Sequence, residues 1–302
     1  MTDAVIHILL TLLMPPLLLG IIGKTKALFA GRVGAPILQP YYDLAKLLRK
    51  GSVFSDTTTW VFQAGPVVTL AATLTASFLI PLGEHRAPLS FSGDMVLFAY
   101  LFGLARFCTT AAALDTGSSF EGMGAAREAT FACLAEPALF FSLAVLARLS
   151  GSLSLTPMLT GTVATSWLNS GASILLLGGS LFIVLLVENC RVPFDDPTTH
   201  LELTMIHEVM VLDHSGPLFG VILYGAAVKL FVLGALFTDI ALPYATGITL
   251  VDWGLFIVAM LMLAIGIGVV ESVMARLRIV KVPQMLAAAC ILAAFSLLLV
   301  LR

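Results

Sequence analysis

Eight long apolar stretches dominate this 302-residue sequence and constrain its fold. A membrane-spanning helix needs about 20 consecutive, mostly apolar residues. Charged residues make up only 11% of the chain, whereas soluble domains carry about 25%. We therefore predict an all-α, polytopic membrane protein that forms a single membrane domain over residues 1–302. The predicted spans lie near residues 4–23, 61–82, 94–114, 128–148, 170–188, 217–238, 251–271 and 283–301.

The lysines and arginines between these spans predict an orientation. Eleven of them fall in the first, third, fifth and seventh loops, and only Arg86 and Arg148 lie near the opposite ends. Because cytoplasmic loops carry an excess of Lys and Arg, the odd-numbered loops should be cytoplasmic. Both termini should then lie on the outer side of a prokaryotic cytoplasmic (inner) membrane. The predicted cytoplasmic loops lie near residues 24–60, 115–127, 189–216 and 272–282.

One of these loops, from Glu188 to Gly216, is unusually polar. It contains six carboxylates and three of the five histidines of the chain. A dense acidic loop between apolar spans indicates a functional surface. The candidate residues in this acidic loop are Arg191, Asp195, Asp196, His200, Glu202, His207, Glu208, Asp213 and His214.

The three histidines of the acidic loop are spaced seven residues apart. On a helix that spacing separates side chains by about 10 Å, which is too far for a single metal ion whose ligands stand about 2 Å away. We therefore predict no metal site. Proton exchange remains open because histidine titrates near pH 6.5, as does a role as ordinary surface residues.

Several ionisable residues fall within the apolar spans. Arg106 lies near the middle of the third span, where a charge costs about 2.5–3.5 kcal/mol, so we expect a partner or a water-filled cavity beside it. Glu128 and Glu136 are eight residues apart, which on a helix is a rise of about 12 Å and a rotation of about 80°. They should face roughly the same side at two depths, as a proton relay or as partners of Arg106.

Three further residues extend this set. Glu188 ends the fifth span, as part of a proton path or as a solvated helix end. Lys229 lies near the centre of the sixth span and either exchanges protons or forms an ion pair. Asp115 opens a glycine-rich turn before the fourth span. By contrast, Glu84, Asp239 and Asp252 are expected to be solvated on the outer side.

The first loop contains a short amphipathic segment. Between Tyr41 and Lys50, apolar residues alternate with charged ones at helical spacing. This pattern predicts a helix at the membrane surface. It serves either as a lipid anchor or as a docking surface.

Several motifs together resemble the family of the membrane protein that forms the heel of the membrane arm in respiratory complex I. Some are closer to the family's relatives in formate hydrogenlyase and other group 4 membrane-bound [NiFe] hydrogenases. The resemblance runs nearly end to end and includes the number of spans. Its motifs are Arg32–Pro36, Leu38–Leu47, Leu114–Ser118, Gly124–Glu128, Glu136–Pro137, Arg191–Asp195, Glu202–Leu203 and Asp213–Gly216.

The resemblance implies a subunit that anchors a peripheral arm and couples its electron transfer to ion movement. Arg32, Gln39, Asp43 and Lys46 would contact that arm. The implied partners are iron–sulfur subunits, hydrogenase-like (49-kDa-like) peripheral subunits, antiporter-like membrane subunits and the lipid bilayer, with no nucleic acid. Iron–sulfur clusters and a [NiFe] centre would belong to partner subunits, and this chain would hold no cofactor and would not be catalytic on its own.

The acidic loop departs from the complex I pattern. Thr198 and His200 stand where carboxylates are usual, and Asp213-His214-Ser215-Gly216 replaces the usual Glu-Tyr-Ser-Gly. These differences favour the hydrogenase-like branch over quinone reduction. Three alternatives remain open: a quinone-site subunit of a complex I-like dehydrogenase, a purely structural anchor and a stand-alone secondary transporter.

Overall fold

The computed structural model describes residues 2–195, 205–243 and 246–302, and over these ranges the chain is built from α-helices. Two short 3₁₀ turns, Glu208–Val211 and Ile279–Lys281, supplement them. The helices are α1 (Thr2–Phe29), α2 (Gln39–Leu48), α3 (Trp60–Leu79), α4 (Asp94–Asp115), α5 (Ser119–Ser150), α6 (Leu155–Leu159), α7 (Thr162–Glu188), α8 (Gly216–Ala241), α9 (Thr249–Val273) and α10 (Val282–Leu301).

Eight helical segments are long and apolar enough to cross a membrane, which confirms the all-α, eight-span prediction. The amphipathic helix of the first loop is also present, as α2. Two spans begin earlier than predicted. α5 begins at Ser119 rather than near residue 128, so most of the predicted glycine-rich turn is helical. α7 begins at Thr162 and is kinked at Ser170.

Two prolines inside α1 shape its contact with α8. Pro15 and Pro16 have no N–H, and each leaves a carbonyl one turn earlier without its helical donor. The carbonyl of Leu12, four residues before Pro16, accepts a hydrogen bond from the Tyr224 hydroxyl of α8 at 3.0 Å. Within a bilayer such a freed group needs a partner from the protein, so this bond helps to fix α8 beside α1.

Small residues bring other helices close together, as is usual between membrane helices. A Cβ on Gly268 of α9 would lie only 2.7 Å from the Thr25 Cβ of α1. Between α7 and α10 the hydroxyls of Ser173 and Ser296 are 2.7 Å apart. One continuous apolar core, which includes Phe231 and Phe256, joins the spans.

The loops gather at two ends of the bundle. At the acidic-loop end, the N–H of Val53 donates to the Ser215 hydroxyl at 3.0 Å, and the N–H of Leu277 donates to the Pro193 carbonyl at 2.8 Å. These bonds join the first, fifth and seventh inter-span loops. The opposite end, here called the far end, contains the α3–α4, α5–α7 and α8–α9 connections.

Candidate functional site

Arg106 of α4 is the centre of a buried charge cluster. Its Nη1 contacts Glu136 Oε1, its Nη2 contacts Glu188 Oε1, and its Nε lies 3.6 Å from Glu128 Oε1. The arginine side chain is only 9% exposed. The partners expected for a membrane-embedded arginine are therefore present, and they come from α5 and α7.

Lys229 of α8 extends this cluster. Its Nζ lies 2.7 Å from Glu188 Oε2, so the Glu188 carboxylate bridges two cations. The Glu188 side chain is only 8% exposed, so its interpretation as a solvated helix end is wrong. Burial between helices, rather than the position at the end of α7, determines its environment. The arginine cluster consists of Arg106, Glu128, Glu136, Glu188 and Lys229.

A second charge cluster lies toward the acidic-loop end. The fully buried carboxylate of Glu271 lies 2.9 Å from Lys26 Nζ and 3.4 Å from Arg191 Nη1. Sequence analysis singled out Arg191 alone among these. Lys26 and Glu271 stand near the ends of long apolar helices, where charges normally reach water. The only sequence signal for the pair is their opposite sign on two spans whose neighbours are unknown before folding.

Asp195 of the acidic loop is also buried and anchored. One carboxylate oxygen lies 2.8 Å from Arg276 Nη2, and the other accepts the N–H groups of Ile206 at 2.9 Å and His207 at 3.3 Å. Arg276 entered the sequence analysis only through the orientation, yet it ties the last inter-span loop to the acidic loop. Asp195 therefore fixes the entrance and the return of the acidic loop.

Three polar cavities connect these clusters. A cavity of about 390 Å³ is lined by Lys26, Arg191, Asp195 and Glu208. It shares Asn189, Cys190 and His207 with a cavity of about 70 Å³ that reaches Arg106 and Lys229. A third, of about 150 Å³, lies on the other side of Arg106 and includes Glu136. The cavities therefore follow the charged residues from the acidic-loop end into the bundle.

The remaining acidic-loop candidates have different environments. His207 and Glu208 line cavities, whereas Asp213 is exposed and its N–H donates to the buried Glu121 carboxylate at 3.0 Å. The ring of His214 stacks on Phe62 with centroids 3.9 Å apart, and burial lowers the pKa of this histidine. Asp196, His200 and Glu202 lie outside the described residues.

Cys190 follows the end of α7 and shares two of the cavities. Burial, with the nearby carboxylates of Glu128 and Asp195, raises the pKa of its thiol well above the ordinary value. Cys190 therefore remains a neutral thiol. Within residues 2–195, 205–243 and 246–302, no three His, Cys, Asp or Glu side chains form a group that could hold a metal ion; the metal prediction stays a prediction.

Asp115 lies apart from the arginine cluster. Its carboxylate accepts hydrogen bonds from the Thr59 N–H at 2.7 Å, the Thr59 hydroxyl at 2.8 Å and the Phe62 N–H at 3.2 Å. These donors belong to the first turn of α3, whose N–H groups have no helical partner. Asp115 thus caps α3 from the end of α4. Its place in a proton path stays a prediction.

The predicted docking residues lie on and before α2. Arg32, Asp43 and Lys46 are exposed, and Gln39 Nε2 donates to the Asp43 carboxylate at 2.8 Å. α2 itself packs beside α8, where a Cβ on Gly220 would lie 3.3 Å from the Leu47 Cβ. The four residues therefore form one accessible surface whose partner is not part of this chain.

Comparison with known proteins identifies relatives of this arrangement. The family model described as NADH dehydrogenase matches residues 2–302. Formate hydrogenlyase subunit 4 of Escherichia coli is 34% identical over 275 residues, which cover 89% of this chain and 88% of that protein. Hydrogenase-4 component C of the same organism is 33% identical over 247 residues, or 81% and 75% of the two chains.

A solved structure has the same fold. A chain in the structure of the membrane-bound sulfane sulfur reductase, an archaeal respiratory membrane complex, superimposes with a TM-score of 0.85. The alignment covers 99% of this chain and 98% of that chain at 23% identity. The resemblance inferred from the motifs is thus confirmed, and this multi-pass membrane protein belongs to the NADH dehydrogenase family.

Proposed function

We propose that this chain is the membrane-anchoring and coupling subunit of a respiratory oxidoreductase of the group 4 hydrogenase kind. That it is a membrane subunit of a group 4 hydrogenase or complex I-like respiratory complex follows from its family and its relatives. In the proposed role, it docks an iron–sulfur peripheral arm at the acidic-loop end. It then links electron transfer in that arm to proton or ion translocation in antiporter-like subunits.

The observation that carries the coupling role is the line of charges and cavities from Asp195 to Glu136. Ionisable residues inside a membrane are costly and are functional candidates by default. Here Glu188 is shared by Arg106 and Lys229, so a change in the protonation of one carboxylate alters the balance of the whole arginine cluster. A charge arriving at the acidic-loop end can therefore shift protons deeper in the bundle.

Glu136 supports the presence of an adjoining membrane subunit. It lies near the middle of α5, and its side chain is 45% exposed although it contacts Arg106. A carboxylate at this depth is costly against hydrocarbon. The arginine cluster also has three carboxylates for two cations. A partner with polar or cationic groups on this face of α4 and α5 would cover Glu136.

Docking at the other end rests on α2 and the loop before it. Arg32, Asp43 and Lys46 are accessible. Exposed apolar side chains accompany these charges, including Val33 at 86% and Tyr42 at 62%. Charged and aromatic residues on one surface suit a protein interface. We place the peripheral arm here, on the cytoplasmic side of a prokaryotic inner membrane.

Hydrogen evolution tests the assignment to the hydrogenase branch. The intact complex is purified through a tag on this chain and supplied with reduced viologen dye. We expect hydrogen evolution. A fully assembled complex that evolves no hydrogen contradicts this assignment and makes quinone reduction the next assay.

Two substitutions test coupling. Glu136→Gln and Lys229→Gln should remove most proton translocation while the assembled complex keeps its dye-linked redox activity, because neither residue belongs to a redox centre. Asp252→Asn, at the far end of α9, is the control and should leave translocation unchanged. Normal translocation in both cluster variants would sink the coupling role and leave a purely structural anchor.

A quinone-site subunit is the second candidate. The cavity of about 390 Å³ favours it, because Leu19, Ile22, Leu223 and Leu230 give that cavity an apolar wall beside its charged residues. Such a mixture suits a lipid-soluble ring with polar oxygens. Inhibition of the complex by quinone-site inhibitors would support this candidate, and complete insensitivity would exclude it.

A further inference from the structure

Two of the buried carboxylates at the far end have balanced environments. Asp94 accepts hydrogen bonds from the Leu155 N–H at 2.7 Å, the Ser154 hydroxyl at 2.7 Å and the Phe91 N–H at 3.2 Å. Asp252 accepts both the N–H and the hydroxyl of Thr246, at 3.0 and 2.7 Å. Several donors stabilise an ionised carboxylate, so both side chains are stable as anions.

Asp239 of α8 has a different environment. It is only 5% exposed, so its expected solvation is wrong. Its Oδ1 accepts a single hydrogen bond, from the Gly83 N–H at 3.1 Å, and its buried Oδ2 has no partner among the described residues. Nor does the described part of the chain give it an ion pair. A buried negative charge with one donor is costly.

The carboxyl group of Asp239 borders a small cavity. The cavity measures about 10 Å³ and is lined by Gly83, Glu84, Leu159, Leu242 and Pro243 in addition to Asp239. This volume accommodates about one water molecule. Glu84 is half-buried and accepts a backbone hydrogen bond from Gly161, and burial raises the pKa of its carboxyl group.

We propose that Asp239 and Glu84 form a proton-binding site at the far end of the bundle, in which the two carboxyl groups share one proton through a single water molecule. Two neighbouring carboxylates without a cation resist simultaneous ionisation, so the pair retains a proton. On binding, hydronium transfers its proton to Asp239 Oδ2, an O–H bond forms, and water remains. Release reverses these steps.

Other ionisable groups at this end do not neutralise Asp239. The α3–α4 connection also brings His85, whose ring stacks on Trp253 at 3.9 Å, and Arg86, which is exposed. α9 brings Asp252 and α1 brings Asp3; both are acidic and act electrostatically on His85. Glu84 is therefore the partner that shares the cavity with Asp239.

The proposed site is separate from the arginine cluster. Asp239 follows Lys229 by ten positions on α8, which corresponds to about 15 Å along a helix. Residues 230–236 between them are buried and apolar. The proton therefore exchanges with the solvent of the far end rather than along α8, and the proposal does not depend on the coupling function.

Infrared difference spectroscopy of the intact membrane complex near neutral pH tests the proposal. The wild-type spectrum minus that of Asp239→Asn should contain the carbonyl stretch of a protonated carboxylic acid. Asp252→Asn is the matched control, because it removes a buried carboxylate that is well hydrogen-bonded, and its difference spectrum should lack that band. Carboxylate bands in place of the acid band for Asp239 overturn the proposal.

Two further measurements do not need the Asp239 variant to assemble. Glu84→Gln removes the paired carboxyl group and should shift the acid band; an unshifted band contradicts the pairing. Exchange of potassium for sodium at constant ionic strength should leave the wild-type band unchanged. Loss of the band in sodium would identify a metal-cation site instead and overturn proton binding.

Discussion

Glu188 illustrates how a residue takes its character from neighbours distant in sequence. It closes α7, where the pattern of apolar residues predicts contact with solvent. Instead Arg106 and Lys229 each bind one of its oxygens. Removal of one member of a buried ion pair costs about 3–5 kcal/mol, since the remaining charge stays buried. Glu188 thus contributes to the packing of α4, α7 and α8 as well as to the proposed coupling.

At the same scale, His214 predicts a loss of stability in mild acid. Burial lowers its pKa in the folded protein, whereas the unfolded chain has a value of about 6.5. Below that value the unfolded state binds more protons, so the free energy of unfolding falls with pH. We expect the melting temperature of the purified complex to fall between about pH 7.5 and about pH 5.5.

His214→Phe is the matched variant for this prediction. Phenylalanine retains an aromatic ring against Phe62 but does not titrate. Its melting temperature should fall less than that of the wild type over the same range. His85, whose pKa burial also lowers, remains in both proteins and contributes equally. An identical acid response in both proteins would show that His214 is not responsible.

Among the elements, α5 owes its contact with the acidic loop to a glycine. A Cβ on Gly124 would overlap Val209 Cγ1 and lie 2.9 Å from Met210 Cγ and 3.0 Å from the Ile206 carbonyl. Gly124→Ala should therefore push the 3₁₀ turn away from α5. Overpacking of this kind costs about 1–3 kcal/mol. We expect a lower melting temperature of the complex and weaker proton translocation.

Gly122 provides the control on the same helix. A Cβ there would make only an ordinary contact, 3.9 Å from Leu114 Cδ2. Gly122→Ala should stabilise α5, because alanine is favoured over glycine by about 1 kcal/mol inside a helix. If both variants respond alike, helix propensity rather than contact with the turn governs this region.

The same helices show what sequence can and cannot predict. Apolar length located all eight spans, because the cost of exposing a backbone to lipid acts within each segment. The start of α5 was missed because Ser119–Arg127 contains glycines and charges that suit a turn in solvent. Lys26 with Glu271, and Asp239 with Glu84, were missed because each pair depends on which helices become neighbours. Arg106 was predictable because one buried arginine demands a partner wherever it lies.

For the whole molecule, the two ends predict an orientation in the membrane. The positive charges of the first, third, fifth and seventh loops place the acidic-loop end on the cytoplasmic side. Alkaline phosphatase, which is active only outside the cytoplasm, should be active when fused after Arg302 and inactive when fused after Lys50. The opposite pattern of activities would invert the proposed docking side.

The two ends also differ in how their charges are held. At the acidic-loop end, Lys26, Arg191 and Arg276 neutralise buried carboxylates through ion pairs. At the far end, hydrogen bonds neutralise Asp94 and Asp252. High salt screens exposed ion pairs more than buried hydrogen bonds. The molecule therefore responds to charge at one end and remains comparatively insensitive to it at the other.

The exposed Glu136 also bears on the life of the protein before assembly. A newly inserted copy without its neighbour would present a carboxylate to lipid in the middle of α5. Such a copy would be less stable than an assembled one by the cost of that contact. The same carboxylate thus marks orphan copies for membrane proteolysis and helps to keep subunit numbers matched in the cell.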